Sequence, residues 1–145
     1  MTAIRSEISK KNELYISKHA FYSAYHFALQ YPEWKEQYAD MIGAAQKAID
    51  YSGMPGGMSI GDPTARIAMR SSVLGSNIRL IEHTAVTAGR DLSDWLLAGV
   101  TQEGVTYKYL RTKMKIPCGR NEYYKIRRLF YYLLYQAIEE RGLIS

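Results

Sequence analysis

The sequence predicts an all-α protein. Apolar residues recur three and four positions apart along most of the 145-residue chain, the spacing of one helix face. The four prolines fall where such runs start or stop, and no convincing strand or internal repeat interrupts them.

Leu14, Phe21, Tyr25 and Ala28 mark the first helix, with Tyr22 and Leu29 beside them. Tyr31-Pro32 interrupts it, because proline disfavours a helical residue before it and suits a helix's first turn. The second helix is expected from about Glu33 to Ile49, with Trp34, Tyr38, Ile42, Ala45 and Ile49 inward. "YSGMPGGMSIGDPT" then holds four glycines and two prolines. It reads as a linker over 53–62 between an N-terminal helical region, 1–52, and a domain over 63–145. Asp62 is placed to cap the next helix and Pro63 to open it.

That third helix is expected to run to about Ala88. Ile67, Ser71, Leu74, Ile78, Ile81 and Ala85 are alternately four and three apart. Such a stripe suits a core within one chain or the seam of a homodimer, and Gly75 weakens the helix somewhat. Gly89 is the expected stop, Asp91 or Ser93 the next cap, with Trp95, Leu96 and Val100 packing inward.

Charge separates the last part of the chain from the rest. The net charge is +5, yet residues 106–145 hold nine basic and three acidic groups, or +6. Residues 1–105 hold ten basic and eleven acidic groups. Such asymmetry is the footprint of a polyanion-binding surface. In "TYKYLRTKMKI", Thr106 is placed as cap, with Tyr107, Leu110 and Met114 on one face. Pro117 breaks this helix and Gly119 permits a tight turn. A final helix follows, with Tyr123, Ile126 (or the stem of Arg127), Phe130, Leu133 and Ala137 inward and Gly142 closing it.

Two helices across a short turn, the second basic, form the helix-turn-helix pattern. With that stripe inward, Arg120, Tyr124 and Arg128 share an outer face, with Asn121 and Lys125 adjoining. Arg120 suits the O6 and N7 of guanine, and Asn121 suits adenine. Lys108, Arg111, Lys113 and Lys115 suit phosphates.

The same residues resemble a known group. "TYKYLRTKMKIPCGRNEYYKIRRLFYYLL" is similar to the C-terminal half of the small phage-encoded regulators of Gram-positive bacteria, the RinA and ArpU type. "GMPGGMSIGDPTARIAMR" resembles the junction between their halves. The likeness spans residues 53–134, and the first 50 residues add no motif. It implies a phage or prophage regulator that activates late genes, with a DNA-binding domain like region four of sigma factors. The basic face points to double-stranded DNA as the partner, with host RNA polymerase a further one, and the single cysteine suits a reducing cytoplasm. Two other classes share the pattern: a DNA-packaging recognition subunit of small-terminase character, and a polymerase-binding adaptor whose basic helix meets acidic protein.

No enzyme is expected. His19, His26 and His83 lack the cysteines or carboxylates of a metal set. Cys118 is the sole cysteine, which excludes an internal disulfide. It lies near a helix start among cations that can lower a thiol pKa, but no histidine-carboxylate pair adjoins it. The Gly-rich stretch lacks the Lys-Ser/Thr ending of a phosphate cradle. No cofactor is implied. The N-terminus lacks a signal-length apolar run, and the uncharged, mostly apolar stretch Leu129–Ile138 is about half a membrane span.

Overall fold

The structure, a computed structural model, describes residues 14–51 and 63–142, with the side chains at 45, 48–51, 63 and 64 outside the description. The expected linker and the Asp62 cap fall outside it. The described residues form helices α1 (Lys18–Leu29), α2 (Tyr31–Tyr51), α3 (Pro63–Gly89), α4 (Ser93–Thr101), α5 (Tyr107–Thr112) and α6 (Arg120–Glu140), and a 3₁₀ turn, Arg90–Leu92, follows α3. They contain no strand. The protein is all-α with a long central helix. Among the described residues, no helix is long and apolar enough to cross a membrane.

The chain divides into two compact units, residues 1–30 with 80–145, and residues 31–79. This differs from the division expected at the Gly/Pro-rich stretch, because α1 packs most extensively on α6.

In the larger unit, Ser17 caps α1 by accepting the Ala20 N–H at 3.1 Å, as a short hydroxyl side chain does at a helix start. Ala20, Phe21, Ala24 and Ala28 are buried. The Phe21 ring meets Tyr131 of α6 edge-on at a centroid distance of 5.0 Å, a favoured aromatic arrangement. α4 packs on both α1 and α6, burying Leu96 and Val100. Gly99 faces Tyr123 so closely that a Cβ at 99 would overlap the tyrosine hydroxyl. The glycine is there for space.

α6 departs from the expected stripe. Tyr123 and Phe130 are buried as foreseen, but the seam continues through Tyr131, Leu134 and Ile138. Ile126, Leu133 and Ala137 are half-buried. Apolar side chains cover more than half of this helix's circumference, so periodicity fits several stripes, and contact with Phe21 selects one.

α3 ends at Gly89, the expected stop, but the turn after it differs. Gly89 belongs to the helix, where a Cβ would lie 3.1 Å from Leu96 Cδ2. Arg90 takes the left-handed conformation, φ 53°. The residue capping α4 is Leu92, without a side-chain bond, rather than Asp91 or Ser93. Of the α3 stripe, Leu74, Ile78, Ile81 and Ala85 are buried within the chain, while Ile67 and Ser71 are half-buried.

In the smaller unit, α2 and α3 approach where Tyr38 Cε2 would lie 3.1 Å from a Cβ at Gly75. Tyr31 is buried and Trp34 and Tyr38 are half-buried. Ile42, expected inward, is exposed. Ala45 and Ile49 are among the undescribed side chains.

Candidate nucleic-acid interface

The basic segment is built on a short helix, a seven-residue turn and the start of α6. Thr106 caps α5 by accepting the Tyr109 N–H at 3.3 Å, as its residue type foretells. α5 is only six residues long. Met114, expected on its inner face, is therefore past the helix end and 38% exposed. Leu110 and Ile116 fill the interior instead.

The helix ends by a reversal. Ile116 donates its N–H to the Leu110 carbonyl, six residues back, at 3.0 Å. Lys115, between them, takes a left-handed φ of 57°. The reversal carries the chain back over the end of α5, and both Leu110 and Ile116 are fully buried. Sequence reading gave the turn's conformational freedom to Gly119. That glycine is extended, at φ −81° and ψ 170°, which any residue can adopt. Lys115 carries the unusual conformation.

Two side chains hold the turn from outside it. Trp95 of α4 donates its indole N–H to the Met114 carbonyl at 2.8 Å. Tyr107 donates its hydroxyl to the Cys118 carbonyl at 2.7 Å. Both were expected simply to pack inward. Nothing in their spacing signals the bonds, since Trp95 lies 19 residues from its acceptor.

The nine predicted contact residues separate into two sets. Lys108, Arg111, Lys113, Lys115, Arg120, Asn121 and Lys125 are exposed. Tyr124 and Arg128 are half-buried, and Arg128 is engaged by other groups of the chain. The proposed outer face Arg120–Tyr124–Arg128 is thus a flank of the buried seam. At about 100° per residue, the change from Leu133 and Ala137 to Leu134 and Ile138 turns Asn121 and Lys125 outermost. Arg120 lies in line with Ile138 but opens the helix, beyond the core, and so stays exposed.

Arg120 is not left to solvent alone: its guanidinium carbon sits 5.4 Å from the centroid of the Tyr107 ring. Arg127 lies over two rings, 6.0 Å from that of Tyr124 and 5.0 Å from that of Tyr131. It helps build α6's inner flank. Beside the exposed face of α6 lies an open cleft of about 730 Å³, with Pro117, Glu122, Lys125 and Leu129 among its lining.

Cys118 is half-buried. Burial pushes its thiol above the ordinary range, and Glu122 adds to the rise, while Arg111 works against it. The expected lowering by nearby cations is overturned: desolvation and a neighbouring carboxylate outweigh them. A raised thiol is a poor nucleophile at neutral pH. Among the described residues, no group of three or more His, Cys, Asp and Glu gathers to hold a metal ion.

The chain matches no family model, no curated protein and no solved structure.

Proposed function

We propose that this protein binds duplex DNA as a transcription regulator, of the phage or prophage kind that its basic segment resembles. α5 and its turn lie along the sugar-phosphate backbone, and the first turns of α6 enter the major groove. One observation carries the reading: between residues 108 and 125, six basic side chains are exposed against a single acidic one, Glu122. Cations gathered on a short helix, its turn and a following helix start displace counterions from a duplex.

Lys108, Arg111, Lys113 and Lys115 serve as phosphate contacts, which set register without reading sequence. Arg120 and Asn121 occupy the α6 first turn, the end of a recognition helix that reaches base edges. Arg120 pairs with guanine and Asn121 with adenine. Lys125 extends the reading face, and Tyr124 and Arg128 support it from the flank.

Duplex binding measured over a salt series tests this. The logarithm of affinity should fall steeply with the logarithm of salt concentration, and Lys113→Ala should flatten that slope by about one unit. Salt-independent binding, or none to any duplex, would overturn the proposal.

A further inference from the structure

The start of α6 is positioned from outside the helix. Gly119, its cap residue, makes no side-chain capping bond, and space around it is open. Local chemistry at residue 119 therefore does little to fix where the helix begins. The Tyr107 hydroxyl bond to the Cys118 carbonyl, 2.7 Å, restrains the residue just before it. The same tyrosine's ring lies under Arg120, 5.4 Å from the guanidinium carbon. Tyr107 is itself seated, with its ring 5.8 Å from that of Tyr123, and Tyr123 is buried. One side chain thus connects the core to both the backbone entering α6 and the cation at its tip.

A guanidinium held over a ring face by cation–π attraction uses none of its hydrogen-bond donors there, so its N–H edge stays available for other acceptors. That edge is what donates two parallel hydrogen bonds to guanine. A long side chain held in place beforehand also loses less entropy when it binds. We infer that Tyr107 is a positioning residue for sequence reading, holding Arg120 so that its N–H edge meets one guanine. The inference rests on the duplex reading proposed above, and its test separates the two.

A preferred duplex is selected from a random pool with the full chain. Wild type, Tyr107→Leu, Tyr107→Phe, Arg120→Ala and the Tyr107→Leu/Arg120→Ala double variant are compared on it and on a scrambled duplex at one salt concentration. Tyr107→Leu should lower the ratio of preferred to scrambled affinity about tenfold, within the range of one lost bidentate contact. It should add nothing once Arg120 is alanine, the signature of two residues acting as one unit. Tyr107→Phe, which keeps the ring, should lower the ratio by a smaller factor. Without DNA, the Arg120 Nε–H resonance should carry a ring-current shift in wild type and Tyr107→Phe and lose it in Tyr107→Leu.

A resonance unmoved by Tyr107→Leu overturns the inference and leaves duplex reading intact. So does a ratio loss that adds fully to that of Arg120→Ala. If Tyr107→Leu unfolds by circular dichroism, Tyr107→Phe decides, and a wild-type ratio there overturns the positioning role. If wild type prefers no duplex, or Arg120→Ala leaves the ratio unchanged, the reading of sequence by α6 falls and takes the inference with it.

Discussion

Helices α1 and α2 are neighbours in the chain and look alike as sequence, with apolar residues at helical spacing and only Gln30 between them. Their surroundings differ. α1 spends 12 residues to bury four side chains against α4 and α6. α2 runs for 21 residues, and among its described side chains Tyr31 alone is buried. The contrast extends to the two units. Among the described residues, eighteen buried apolar ones belong to the unit of 1–30 and 80–145, whereas that of 31–79 has Tyr31, Leu74 and Ile78. Periodicity therefore tells that a helix has an apolar side; it does not tell whether anything covers that side. Helix stability in proteins comes mostly from such cover, so equal patterns in the two units have unequal energetic weight.

The largest effect expected from this contrast is in the larger unit. Phe130 is fully buried beside Tyr131, their ring centroids 5.2 Å apart. Phe130→Ala should cost about 3–5 kcal/mol, the usual range for removing a core ring, measured by equilibrium denaturation. A loss under about 1 kcal/mol would mean that the core assigned to this unit is not where its stability lies.

A smaller effect, of opposite sign, is expected at the turn. Lys115 holds a left-handed backbone, which a side chain with a Cβ adopts at a cost of about 1–2 kcal/mol relative to the right-handed one. Lys115→Gly should therefore stabilise the protein by about 1 kcal/mol, read as a higher denaturation midpoint. If Lys115 touches phosphate, the same variant should lose about one unit of salt slope in duplex binding. A stabilised variant with unchanged slope would assign this lysine to the turn alone. Destabilisation would contradict the left-handed turn.

The smallest effect is expected in the smaller unit. Met69 is 73% exposed, and Met69→Ala should change stability by less than about 0.5 kcal/mol. A cost near that of Phe130→Ala would break the comparison, since it would mean that this face of α3 is covered in solution.

Several local features were legible because they depend on neighbours in sequence. Thr106 accepts the N–H three residues on, Tyr31-Pro32 divides α1 from α2, and Gly142, at φ 67°, closes α6. The exposed cations were legible too, because charged groups are rarely buried without a partner. The rest of the site depends on distant residues. Tyr107 and Trp95 find backbone carbonyls 11 and 19 residues away, and no local pattern specifies those partners.

By itself the sequence determined that the chain is helical, where most helices begin and end, and that positive charge gathers after residue 105. These follow from caps, proline geometry and composition, whose physics acts over a few residues. The tertiary structure decided which side of each helix is covered and which backbone bends. Tyr131, Leu134 and Ile138 face inward because α1 offers Phe21 to that side of α6. Lys115 and Arg90 adopt left-handed angles where a glycine stands nearby and does not. In both cases the choice is among locally similar alternatives, and only a contact between distant segments gives one of them the lower free energy.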